Sequence, residues 1–200
     1  MNDAPQATHL ADYEAPNFSV ERVELAFDLD EEDTFVRAAL SLRRQASGPL
    51  VLDGEDLALE SISIDDNALP SDAYTVSPSS LTIPDVPDEF TLRTDVRIQP
   101  QNNTKLEGLY KSSGNFCTQC EAEGFRRITY SLDRPDVTSV YSVRIEADRA
   151  KYPVLLSNGN LVDQGTADQG RHWVEWQDPY PKPSYLFALV AGDLAVAKDR

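Results

Sequence analysis

Histidine and cysteine are scarce in this chain: His9, His172, Cys117 and Cys120 are all that its 200 residues contain. A structural zinc site takes four ligands, and both histidines lie far in sequence from the Cys117-x-x-Cys120 pair, so no such site is expected here. There is no H-E-x-x-H motif, no G-x-S-x-G elbow and no phosphate-binding loop, and no histidine is placed to pair with a nucleophile. Long apolar runs are missing as well. The most apolar one, Tyr185 to Ala191, suits a buried strand and falls far short of the ~18 residues that a membrane helix needs. Positive charge is also short, with 18 Lys and Arg against 34 Asp and Glu for a net charge of -16. That balance repels phosphate backbones and anionic bilayers, which argues against nucleic-acid and membrane partners and fits a solvated surface. The segment MNDAPQATHLADYEAPNF has neither the basic n-region nor the apolar h-region of a secretory signal, so a cytoplasmic location is expected.

What the chain does have is alternation. Val23, Leu25, Phe27 and Leu29, then Val36, Ala38, Leu40 and Leu42, repeat with period two on either side of the acidic turn Asp30–Asp33, and predict a hairpin with one buried face. Short strands around Leu57–Ile64, Tyr74–Val76 and Leu81–Ile83 are separated by Pro70, Pro78 and Pro84, which oppose helix. Phe90 to Ile98 and Tyr141 to Ala147 alternate again. Tyr152–Ser157 runs into Asn158-Gly159, a strong hairpin signal, and Arg171–Gln177 and Tyr185–Gly192 read as the last strands. Turn signals every 8 to 12 residues without an amphipathic helix predict an all-β fold, an antiparallel sandwich or several packed sheets. Residues 1–16 are expected to form an extended arm and residues 17–200 one β-rich domain.

The block Leu106–Pro135, LEGLYKSSGNFCTQCEAEGFRRITYSLDRP, together with LDGEDLAL, YPVLLSNGN and GRHWVEWQDPYPKPSYLFALVAGDLAV, resembles the bacterial aminopeptidase N family, zinc-dependent enzymes that remove residues from peptide N-termini. The resemblance implies a saddle-shaped, nearly all-β first domain that covers one side of a catalytic domain. It also implies that zinc is bound in the parent chain beyond this region, by an H-E-x-x-H helix and a distant Glu, so that this chain holds no catalytic residue or metal ligand and is inactive alone.

The same resemblance assigns a Gln-x-Glu element to Gln119-Cys120-Glu121. Glu121 would bind the substrate's α-amino group, and Gln119 would line the pocket for the first side chain. Glu123, two residues on and on the same side of an extended segment, is the alternative carboxylate. Arg126 and Arg127 are expected to offset the local acidity and keep Glu121 ionised. In Asp133-Arg134-Pro135-Asp136, Arg134 is expected to be held by carboxylates with Pro135 fixing a turn. Cys117 and Cys120 are expected in a loop as reduced thiols, and His172 within a packed sheet. Trp173 and Trp176 fall on opposite faces of their strand and make no stacking platform for a polysaccharide. The alternative function is a stand-alone β-sandwich that binds peptides or proteins through residues 119–123. An exposed apolar patch would favour the docked domain, and a wholly polar surface the independent module.

Overall fold

The computed structural model describes residues 9–195 and 197, so the first eight residues of the expected arm lie outside the described residues. Among the described residues fifteen strands follow one another: β1 (Phe18–Asp28), β2 (Thr34–Arg44), β3 (Leu50–Asp53), β4 (Ala58–Ile64), β5 (Asn67–Ala68), β6 (Thr75–Val76), β7 (Ser80–Ile83), β8 (Glu89–Ile98), β9 (Gly108–Ser112), β10 (Asn115–Gln119), β11 (Thr138–Asp148), β12 (Val154–Ser157), β13 (Asn160–Thr166), β14 (Arg171–Pro183) and β15 (Leu189–Gly192). Helical structure among the described residues is limited to 3-10 turns of three residues. The all-β reading therefore holds.

The strands form an eight-stranded sheet in the order β13-β14-β11-β1-β2-β8-β4-β5, a four-stranded sheet β12-β15-β10-β9 and a three-stranded sheet β3-β7-β6. Pairing is antiparallel apart from β1 with β11, which run parallel. A parallel pair needs a long crossover, and everything from β2 to β10 supplies it. The inward positions of the large sheet are the alternating residues of the sequence: Val36, Leu40 and Leu42 in β2, Leu92 and Val96 in β8, Tyr141, Val143 and Ile145 in β11. In β1 the inward set shifts phase, from Phe18 and Val20 to Val23, Leu25 and Phe27, because a bulge between Val20 and Arg22 inserts one residue. The two smaller sheets cover this face with Leu50, Leu52, Leu81, Ile83, Phe116, Leu155 and Leu189, and all three sheets share one apolar cluster. Phe187 sits where they meet, with ring centroids 5.3 Å from Phe125, 6.0 Å from Phe27 and 6.1 Å from Tyr141.

Several boundaries differ from the sequence reading. The strand expected at Tyr185 begins only at Leu189, after a 3-10 turn at Ser184–Leu186, and β14 runs on to Pro183. Asn158-Gly159 does not join two paired strands. It passes the chain from β12 in the four-stranded sheet to β13 at the edge of the large one. Local sequence marks a reversal, but which partner each arm finds depends on distant residues, here β15 and β14. The turn is held by the Asn158 carboxamide, which donates to the Leu186 carbonyl at 3.1 Å and accepts from the Ala188 N–H at 2.7 Å. The acidic β1–β2 turn is also tied down: Glu31 accepts from the Tyr152 hydroxyl and from Lys111, the latter at 3.1 Å. Hydrogen bonding from Tyr152, followed by that from Lys111, holds its carboxyl below the usual range.

Gly159 adopts φ 88°, and a Cβ there would stand 2.1 Å from the Gln177 carbonyl oxygen. Gly159→Ala is therefore expected to lower the unfolding free energy by about 2 kcal/mol or more. Urea unfolding checks this, and an unchanged midpoint would refute the tight sheet-to-sheet passage.

Candidate functional site

β10 and β9 form a hairpin whose two turn residues, Ser113 and Gly114, have φ of 50° and 85°. Positive φ at both central positions matches the twist of the flanking strands, and the Ser-Gly dipeptide in KSSGNF was the available signal for it. Cys117 consequently lies within a strand, opposite Tyr110 and Val190, rather than in a loop. Cys120 follows the strand end and is buried. Both thiols are free, and burial raises the pKa of each, most strongly for Cys120. Thiols so shifted are poor nucleophiles and poor redox centres.

Beyond Gln119 the chain leaves the sheet. The Gly124 N–H donates to the Cys120 carbonyl at 2.8 Å, which closes a tight turn, and a 3-10 turn follows at Phe125–Arg127. Cys120 and Phe125 are buried at the two ends, so Glu121, Ala122 and Glu123 are left exposed between them. The Gln119 amide donates to the Glu121 carbonyl at 3.1 Å. The Glu121 carboxylate itself makes no hydrogen bond or ion pair among the described residues. Glu123 is not on an extended segment with Glu121, as the sequence reading supposed. It lies in the closed turn, and Arg126 Nη1 stands 3.5 Å from its carboxylate.

The two arginines do not serve Glu121. Arg126 Nε donates to Asp133 at 3.1 Å, while Arg127 is taken up by Glu55, by Asp56 and, at 3.1 Å, by Glu107. They stand near Glu121 in sequence, but the 3-10 turn points their guanidinium groups towards β3 and the segment before β4. Asp133, only 3% exposed, is the residue that the sequence reading undervalued. Its Oδ2 accepts from the backbone N–H and Nε of Arg126, both at 3.1 Å, and its Oδ1 accepts from the Ser184 hydroxyl at 2.5 Å.

On the outward face of the four-stranded sheet, register aligns Leu156, Val190, Cys117 and Tyr110 in one row. All four are at least partly exposed, Leu156 by 40%. Gln119 shares this face, because it is two residues beyond Cys117 in the same strand. A half-exposed apolar stripe thus crosses the sheet through Cys117, in the strand that leads through Gln119 into the turn that carries Glu121. A cleft of 560 Å³ lies elsewhere, between the Pro100–Lys105 loop and β4, and is not lined by Gln119, Glu121 or Glu123. Its cations Arg97, Lys105 and Arg127 are already ion-paired.

The described residues do not fit a zinc ion. No three His, Cys, Asp or Glu side chains among them converge as a ligand set, and His172 Nε2 donates to the Tyr152 carbonyl at 2.7 Å within the sheet. The two tryptophans diverge: Trp176 donates to the Leu155 carbonyl at 3.3 Å, while Arg144 lies 3.9 Å above the Trp173 ring. Among the described residues no helix is long and apolar enough to cross a membrane.

The model of the peptidase M1 N-terminal domain matches residues 22–186. The chain belongs to this family. It is 58% identical to aminopeptidase N of Caulobacter vibrioides over 99% of its own length. It also superposes on Legionella pneumophila aminopeptidase A, solved in complex with aspartic acid, with a TM-score of 0.89 and 39% identity over 94% of this chain. The chain spans only 23% of either relative. A Deinococcus radiodurans M1 zinc metallopeptidase, at 16% identity and TM-score 0.76 over 89% of this chain and 43% of its own, shares the fold.

Within the matched region, Arg134 grips Asp136 through Nε at 2.9 Å and Nη2 at 2.8 Å, and the same Nη2 donates to the Glu14 carbonyl. The Tyr13 hydroxyl donates to Asp136 at 2.9 Å. The described part of the arm is therefore pinned to this motif, with a 3-10 turn at Leu10–Asp12 instead of a wholly extended path. Hydrogen bonding from Arg134 takes the Asp136 carboxyl down to about 2 from its ordinary 3.8. A depressed carboxylate contributes stability above the unfolded value and loses it as pH falls through the folded one. The domain should lose about 1 kcal/mol between pH 4 and pH 2 from this pair, after allowance for solvent screening. Asp136→Asn should remove that part of the pH dependence in thermal unfolding, and an unaltered slope would contradict the assignment.

Proposed function

We propose that this chain is the N-terminal, amine-recognising domain of a larger zinc aminopeptidase that removes residues from peptide N-termini. The observation that carries the reading is an unpaired, exposed Glu121 carboxylate in the turn that follows a strand of the apolar stripe, in a chain that spans 23% of its aminopeptidase N relative. Exposed as it is, a carboxylate attracts an ammonium group by only about 1 kcal/mol or less. Covered by a second domain, it would contribute roughly 1.5 to 3 kcal/mol through charge-assisted hydrogen bonds. Glu121 therefore supplies half of a site, and the stripe beside it is suited to receive the other half. Such a stripe favours the docked domain over the independent binding module.

In the intact enzyme, zinc held by residues outside this chain would polarise the scissile carbonyl and activate water. Glu121 would accept N–H bonds from the α-ammonium group and so fix the register of the peptide. Gln119, on the stripe's own face, would border the first side chain, with Glu123 a weaker candidate because Arg126 already faces it. The partners are then the remainder of the parent chain and peptides with a free amino terminus. A cytoplasmic setting belongs to the same proposal and is supported by two free thiols.

Glu121→Gln in the parent enzyme is expected to raise KM for alanyl and leucyl chromogenic amides roughly 10- to 100-fold with a smaller change in kcat, and an unchanged KM would eliminate the anchoring role. The 200-residue chain alone is expected to hold no zinc and to hydrolyse neither amide, whereas the extended chain is expected to bind zinc and hydrolyse both. Zinc-dependent hydrolysis by the short chain would overturn the proposal.

A further inference from the structure

With no bond to its own carboxylate, Glu121 depends on its backbone for where it points. The turn that carries it is closed on itself by the Gly124 to Cys120 bond, so it moves as a unit with the 3-10 turn that follows. That second turn is anchored by Phe125 in the core, by Arg127 on Glu55, Asp56 and Glu107, and, at its middle residue, by Arg126 on Asp133. We infer that Asp133 is a positioning residue for Glu121, acting through Arg126 and never touching the substrate. The inference rests on the reading that Glu121 binds the substrate amine.

The geometry is that of a bolt. Asp133 is almost wholly buried, and burying a carboxylate is costly unless donors surround it. Here they do, on both oxygens: Arg126 N–H and Nε on Oδ2, the Ser184 hydroxyl on Oδ1. The Asp133 N–H donates to Asp53 Oδ2 at 3.1 Å, and the Asp53 backbone exchanges two hydrogen bonds with Ser131, at 2.8 and 3.1 Å. The bolt is thereby fixed to the end of β3 on one side and to the link between β14 and β15 on the other. Arg126 carries its grip forward. Nη1 stands 3.5 Å from Glu123, two residues from Glu121 in the same closed turn. Asn at position 133 could still accept from Arg126 and donate to the Ser184 oxygen, so its principal loss is the charge that orients the guanidinium group.

A double-mutant cycle in the parent enzyme separates positioning from plain stability. Asp133→Asn is expected to raise KM for an alanyl chromogenic amide about 3- to 10-fold with kcat within about twofold, counted per folded molecule. Glu121→Gln raises KM further, and the double variant should match Glu121→Gln alone, because Asp133 acts only through Glu121. Multiplying effects would overturn the inference, as would an unchanged KM in Asp133→Asn beside a raised one in Glu121→Gln. An unchanged KM in Glu121→Gln would instead remove the anchoring reading, and this inference with it. Should Asp133→Asn fail to fold, Ser184→Ala removes a single bond to Asp133 and leaves its charge. The same non-multiplying pattern is then expected at about twofold, and multiplication or no effect overturns the inference.

Discussion

An eight-stranded sheet with one apolar face cannot stand in water, and covering that face is the constraint on which the rest of this structure depends. No helix is available to do it among the described residues, so two small sheets and the aromatic residues between them supply the second layer. Phe187, Phe125, Tyr141 and Phe27 come from four separate parts of the chain and meet at the junction. Because β1 and β11 lie side by side in parallel, everything between them must return to the same place, which brings residues 119–133 against that junction.

The segment carrying the candidate site is therefore held from beneath while its surface is left open. Phe125, Ile128 and Tyr130 are buried in the shared core, and Asp133 joins the same layer through Arg126 and Ser184. Above them, Glu121 faces solvent with no partner of its own among the described residues. The buried side explains how a carboxylate on a short turn can have a defined place. The open side is why the proposed function calls on a second domain: water competes for the carboxylate until a partner surface displaces it. In that proposal the exposed apolar row Leu156, Val190, Cys117 and Tyr110 is the surface to be covered.

Much of the sheet was legible in advance because strand alternation is local. Residues 23–29, 36–42, 90–98 and 141–147 declare a buried face through period two, and their strands match the reading. The misreadings share one cause. Asn158-Gly159 announces a turn, yet its arms separate into two sheets. Arg126 and Arg127 stand close to Glu121 in sequence, yet a 3-10 turn sends them to Asp133, Glu55, Asp56 and Glu107. Glu123 loses its place beside Glu121 because the segment is a closed turn. In each case the outcome depends on partners that are tens of residues away or on a backbone that departs from the extended form.

Composition and periodicity were enough to predict an acidic all-β chain, and the resemblance carried by the Leu106–Pro135 block and the stretches around it pointed to the family. Those properties are written residue by residue, in charge, in alternation and in a short motif. The division into three sheets, the outward apolar row and the burial of Asp133 beneath the Glu121 turn arose only when distant segments packed together. A side chain's partner is chosen by the whole core, and no window of neighbouring residues contains that choice.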